Sequence, residues 1–469
     1  MYGNITDSGV SSRRKGLVPA VLILFLFILV FLLNRFDVPY AFKIDGWTLF
    51  PATLFVNLGM VALWLVTRVK VRAIVCPPRP SLWIPIVAWI ATALFSTLTS
   101  DARESTNWQG LAALACIILW TSSLWIVPCL GLEKRSIYIL LGIFSALACV
   151  GACLTTIQSL APNSLRSILG WYQVRPESIN VSRGVLPLGV STVVGAFYMM
   201  TFPFGYSLVI LSTEKWRRMA GFAVVFLMVT GCIFTASRTT VLAVFVTLLI
   251  CILWMRRTRI SSGIVLTIVA ASVCLIGIAL STTDFSRLVD LQDASIKWRI
   301  RAIENAAEMF RDKPILGHGI ESHFHRQKGT TSYSNIYSGI GGYEEIITYK
   351  NHHSGREPHN LFLLLASETG SVGLGFYLLF LFTLGRFFYN AIHSSVETRD
   401  TLLSKAFFIG FVAVMIHSLT GSDLLARQRL ATLFWIYCGL GIAFNYSINN
   451  RRKVADEVEG DLRASCPHS

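Results

Sequence analysis

Charge is what this chain has least of. Only 14% of its 469 residues are Asp, Glu, Lys or Arg, against 54% hydrophobic. Soluble domains carry about 25% charge, so a water-soluble globule is excluded and lipid is the implied solvent. Alternation is missing too: the apolar runs are continuous, which excludes a membrane β-barrel. No basic stripe interleaved with aromatics occurs, so the net charge of +15 does not point to nucleic acid. The ten cysteines lie mostly inside apolar runs, as Cys116, Cys149, Cys153, Cys232, Cys274 and Cys438 do. None shows zinc-ligand spacing and the longest polar stretch has none, so no disulfide framework is implied. Paired carboxylates for glycoside hydrolysis, a nucleophile elbow and a phosphate-cradling glycine loop are all lacking. The middles of the apolar runs are nearly free of charge, unlike those of a transporter that binds its cargo at the midplane.

What is present is a series of runs long enough to cross about 30 Å of hydrocarbon. We read spans at 17–34, 47–66, 82–99, 109–131, 136–158, 185–211, 219–236, 239–255, 263–281, 371–392, 402–420 and 430–447. Basic clusters recur at every second connection: Arg13-Arg14-Lys15, Arg68/Lys70/Arg72, Lys134-Arg135, Lys215/Arg217-Arg218, Arg256-Arg257/Arg259 and Arg451-Arg452-Lys453. The positive-inside rule puts those connections in the cytoplasm. The expected fold is therefore an all-α polytopic membrane protein of about twelve transmembrane helices, both termini cytoplasmic, forming a single membrane-embedded domain over 1–469. The first run lacks a small-residue cleavage site and reads as a retained helix. Outer loops are short except at 159–184 and 282–358, the latter a large, partly helical periplasmic loop. The tail over 454–469 reads as short, polar and disordered.

Within the long loop, "SIKWRIRAIENAAEMFRDKP" repeats apolar residues at three-to-four spacing and predicts an amphipathic helix, ended by Pro314 and the glycines of "PILGHG". The stretch "PHNLFLLLASETGSVG" then opens an apolar run with His359 and Asn360 and interrupts it with Glu368, Gly370 and Gly373. An unbroken helix over 361–388 would be about 42 Å long and would bury Glu368 in lipid. A break near Gly370–Gly373 resolves both difficulties, with a short helix at the outer face and the span starting near Ser371. The alternative is that the two glycines serve close helix packing.

Ionisable groups gather at the expected outer face: Arg183, Arg238, Arg299, Arg301, Arg356, His359 and Glu368. Arg238 lies between two apolar runs with almost no loop. It is either an interfacial anchor or a phosphate ligand, since guanidinium presents planar paired donors to phosphate oxygens. Arg299 and Arg301 fall on different sides of the amphipathic helix and are either a solvated face or ligands. His359 follows Pro358 at a helix start, where the partial positive charge favours the neutral, proton-accepting ring of a general base. Its bland alternative is a loop-capping histidine. His318, His323, His325, His352, His353 and His359 raise the idea of a metal site, but no ligand set has diagnostic spacing, and no metal or other cofactor is expected.

These residues resemble the signature of the O-antigen ligase and polymerase family. His359-Asn360, nine residues, then Gly370-Ser371-Val372-Gly373 fits its His, Asn/Ser/Gln, nine residues, Gly-x-x-Gly pattern without a gap. "AAEMFRDKPILGHGIESHF" resembles the segment before that motif, whose upstream arginine falls on Arg299; the tryptophan common a turn later is Ile303 here. "TASRTT" resembles the family's Ser-Arg at the outer end of a span and places it on Arg238. The resemblance is specific over about 230–375 and elsewhere rests on topology. It implies a metal-independent, inverting membrane glycosyltransferase in the bacterial inner membrane, its active site facing the periplasm. The donor would be a glycan on undecaprenyl diphosphate and, for a ligase, the acceptor the lipid A–core sugar. Arg238 and Arg299 would hold the diphosphate and His359 would orient or deprotonate the acceptor hydroxyl. Arg183, Arg301, Asn360 and Glu368 are further candidates, and Gly370 and Gly373 the structural hinge. A polymerase of the same family and, outside the class, a flippase or transporter of polyisoprenoid-linked glycans are the alternatives.

Overall fold

A computed structural model describes residues 8–32, 42–44, 47–49, 51–70, 80–100, 104–161, 187–188, 190–254, 294–322, 358–395, 398–426 and 428–465. The helices are α1 (Ser8–Phe27, continued by a π turn, Ile28–Leu32), α2 (Pro51–Lys70), α3 (Pro80–Leu98), α4 (Glu104–Thr121), α5 (Ser123–Cys129), α6 (Lys134–Leu160) and α7 (Ser191–Leu211). They continue as α8 (Lys215–Phe234), α9 (Arg238–Trp254), α10 (Ala294–Asp312), α11 (Leu361–Ser394), α12 (Thr398–Ser418), α13 (Asp423–Ala426) and α14 (Gln428–Ser465). The architecture is the expected all-α polytopic one, with one small addition. β1 (Phe42–Ile44) pairs antiparallel with β2 (Trp47–Leu49), Ile44 opposite Trp47. The two short segments flank Asp45-Gly46, a dipeptide favoured in two-residue hairpin links.

Among the described residues, eight helices are long and apolar enough to cross a membrane. Three further expected spans coincide with shorter apolar helices, Val18–Phe27, Leu54–Thr67 and Arg238–Trp254. The span expected over 263–281 lies outside the described residues. Helix α14 runs on past its apolar part to Ser465, into the segment read as a disordered tail. Residues 454–465, "VADEVEGDLRAS", include Ala, Glu, Leu and Arg, good helix formers that let a helix continue beyond the lipid.

Burial separates an inner from an outer layer. Ser191–Leu211 is 94% buried and Leu430–Ile448 89%, whereas Ser81–Leu98 and Leu361–His393 are each 39% buried over their most apolar windows. The outer helices expose apolar stripes at helical spacing, Ile84, Val87, Leu94 and Leu98 on α3 and Leu242, Leu249 and Leu253 on α9. In water such stripes would be a liability; in lipid they are the ordinary outer surface. Inside, apolar helices gain by close contact rather than by leaving water. Helices α7 and α8 approach through Gly205 and Gly221: a Cβ on either would come within 2.5 Å of Val224 or 2.8 Å of Val209. Phe204, Phe407 and Tyr437 fill the centre, and the Tyr437 hydroxyl donates to the Phe407 carbonyl at 2.8 Å.

Candidate active site

The interruption foreseen in the opening run falls at Gly370. Its φ of 67° and ψ of −171° divide α11 into 361–369 and 371–394. Breaking a helix in a membrane frees carbonyls on one side and amides on the other, and each needs a partner. The loop after α10 supplies them. The His318 and Gly319 amides donate to the Ser367 and Glu368 carbonyls at 3.1 and 2.8 Å. The Ser371 and Val372 amides donate to the Pro314 and Ile315 carbonyls at 2.8 and 3.3 Å. A side chain at Gly370 would put Cβ 2.2 Å from the Ile315 oxygen, and one at Gly317 would meet the Glu368 carbonyl carbon at 2.4 Å. Both glycines also hold positive φ, so the splice needs them twice over. Gly373 is different: it lies within the helix, where a Cβ would meet the Thr369 hydroxyl at 2.3 Å.

The end of α3 closes over the splice. The Ser96 hydroxyl donates to the Glu368 carbonyl at 2.8 Å and the Ser100 hydroxyl to the His318 carbonyl at 2.6 Å. The Ile320 amide donates to the Thr97 hydroxyl at 3.1 Å. Glu368 itself is buried. His318, weighed above as a metal ligand, is buried and donates from Nε2 to the Met309 carbonyl at 2.9 Å. Among the described residues no group of three or more His, Cys, Asp or Glu is arranged to hold a metal ion.

His359 stands just before α11 with a φ of 48°, a left-handed backbone that costs a non-glycine residue on the order of 1–3 kcal/mol. Asn360 is the helix cap: its Oδ1 accepts from the Leu363 amide at 3.0 Å. Its Nδ2 donates to the Leu419 carbonyl at 2.8 Å, tying this start to the end of α12. Asn360 therefore positions His359, and the part-exposed ring stands at the amino end of a helix.

Arg238 is reached by a second tight turn. Ala236 has a φ of 48°, and Ser237 begins α9, its Oγ accepting from the Thr240 amide at 3.4 Å. Arg238 is then the first helical residue, part-exposed. A cation there opposes the helix dipole, an arrangement that a bound anion would favour. Lys405 Nζ donates to the Trp254 carbonyl at 3.0 Å, and the Trp254 ring meets Phe408 edge-on at 5.2 Å. With α9 and α12 side by side and antiparallel, the rise of about 1.5 Å per residue brings Arg238 level with the end of α12.

Arg299, on the second turn of α10, is part-exposed and lies within electrostatic reach of His417 at that same end. The structure thus places Arg238, Arg299, His359 and Asn360 at one end of the bundle. Arg301 lies two residues on in α10; its side chain, and Arg183, are outside the described residues. The sequence reading passed over Ser96, Thr97, Ser100 and His417. A hydroxyl-rich helix end, "FSTLTSD", and a histidine closing a span, "MIHSL", were the available signals.

Lipid-facing apolar stripes around an interrupted helix, with guanidinium and imidazole groups collected at one end, define a polytopic membrane protein with a polar site at its rim. The family model described as O-antigen ligase matches residues 223–378. The match runs from within α8 into α11, with both arginines and the histidine inside it. That family is one of membrane glycosyltransferase-like ligases and polymerases. Comparison with curated proteins finds no significant match.

Proposed function

We propose that the chain is an O-antigen ligase of the bacterial inner membrane, transferring a glycan from undecaprenyl diphosphate to lipid A–core at the periplasmic face. Both termini lie in the cytoplasm. One observation carries the reading: the family's histidine, His359, sits in strained backbone at a helix start, at the bundle end that also holds Arg238 and Arg299.

In the step, the acceptor hydroxyl attacks the anomeric carbon. His359 takes the hydroxyl proton, the new C–O bond forms, and the bond from the anomeric carbon to the phosphate oxygen breaks. The diphosphate leaves with the electron pair, and in-line displacement inverts the centre. Negative charge grows on that leaving group, and the fixed positive charges of Arg238 and Arg299 stabilise it in a partly dehydrated site. The membrane orients the reactants, because both are lipids whose heads lie at one depth.

The test is transfer in a Gram-negative host that lacks its own ligase, read as polymer-capped lipopolysaccharide on gels. Wild type restores capping; the alanine variants of His359, Arg238 and Arg299 do not. Capping by all three variants removes the site assignment. Failure of wild type here, with extension of repeat length in a polymerase-null strain, replaces ligase by polymerase.

A further inference from the structure

Buried polar atoms in folded chains nearly always have a partner, and an exception asks for a reason. His417, on the last turn of α12, is 1% exposed, and among the described residues its Nε2 meets no hydrogen-bond partner. Such an orphan costs about 1–3 kcal/mol, and an apolar residue of that shape would avoid the cost. Two observations connect the ring to the site. Arg299 of α10 lies within electrostatic reach of it. Two residues further on, the Leu419 carbonyl receives the amide of Asn360, the residue that caps the His359 helix. His417 therefore stands near one proposed diphosphate ligand and two residues from the carbonyl that anchors the turn of the proposed base.

Guanidinium has five N–H donors in a rigid fork and a neutral imidazole has one nitrogen lone pair. An arginine that grips a diphosphate with part of its fork has donors left over, and an acceptor behind it fixes the plane of the fork. A buried nitrogen suits this task, since a neighbouring side chain reaches it without solvent access. We infer that His417 is a positioning residue for Arg299, its Nε2 accepting a guanidinium N–H when the diphosphate of the lipid donor occupies the site. This rests on the reading of Arg299 as a diphosphate ligand.

The experiment measures binding of glycan-free undecaprenyl diphosphate to the purified full chain in detergent, with the uncharged polyprenol as control, alongside thermal unfolding. His417→Phe keeps the ring volume and removes the acceptor. It should weaken diphosphate binding about tenfold, leave polyprenol binding unchanged, and leave the melting temperature unchanged or raised. His417→Gln, which supplies an acceptor oxygen, should stay within about twofold of wild type. In an Arg299→Ala background His417→Phe should have no further effect. The inference is overturned if His417→Phe binds diphosphate as wild type does, weakens both lipids alike, or unfolds earlier or fails to fold. It is overturned equally if His417→Gln loses as much as His417→Phe, or if the loss persists without Arg299. If Arg299→Ala itself binds diphosphate normally, the underlying diphosphate reading fails instead, a result separate from all of these.

Discussion

The two ends of the bundle treat polar groups in opposite ways. Where α5 meets α6 and α11 meets α12, charges close on one another. Lys134 Nζ lies 2.6 Å from Asp400, both nearly buried, and the Tyr138 hydroxyl donates to the same carboxylate at 2.8 Å. Arg399 covers the Tyr138 ring at 4.1 Å. At the other end the chain accepts costs instead. Among the described residues, the three non-glycine residues with positive φ, Ala236, Glu321 and His359, are all there. His417 Nε2, also there, lacks a hydrogen-bond partner among the described residues. A finished ion pair serves the fold; backbone strain gathered at one end fits a site waiting for a ligand.

That contrast can be broken by substitution. His359→Ala should lower transfer by about 10²–10⁴-fold, and Arg238→Ala or Arg299→Ala by about 10²–10³-fold, with thermal unfolding little changed. Rates come from capping of lipid A–core in the ligase-null host. The opposite end should answer in stability. Lys134→Met leaves Asp400 buried without its ion-pair partner and should cost about 3–5 kcal/mol, while Lys134→Met with Asp400→Leu should recover most of it. Thermal unfolding in detergent checks both, and an equal loss in the double variant would erase the distinction between the ends.

Smaller effects sharpen the picture at the splice. Gly370→Ala should destabilise by on the order of 3 kcal/mol, through a strained φ and the collision with Ile315. Gly375→Ala, five residues on, meets nothing within 4 Å and should be neutral or slightly stabilising. The yield of folded, extractable protein separates them. Asn360→Ala removes a helix cap and should cost about 1 kcal/mol. It should also lower transfer, because the strained turn holding His359 loses its anchor to Leu419.

Legibility in the sequence followed how local each feature is. The amphipathic helix over 294–312 shows in its own periodicity. The break shows because a run of that length with Glu368 inside cannot be one straight span. The hairpin over 42–49 was passed over, since six residues of alternation are a weak signal beside runs of twenty. Ser96 and Ser100 were passed over because a hydroxyl-rich helix end does not name its partners. Each bonds a residue more than two hundred positions away.

What the sequence by itself determined is the solvent and the helical class, and it named the residues proposed to bear the chemistry, because hydropathy, charge placement and a short motif are all local in the chain. Only the tertiary structure decided how the break at Gly370 is mended and how the turn holding His359 is tied to the end of α12. The reason is physical: an amide or carbonyl freed in lipid must find its partner wherever packing brings one. Here that partner came from a loop about fifty residues upstream.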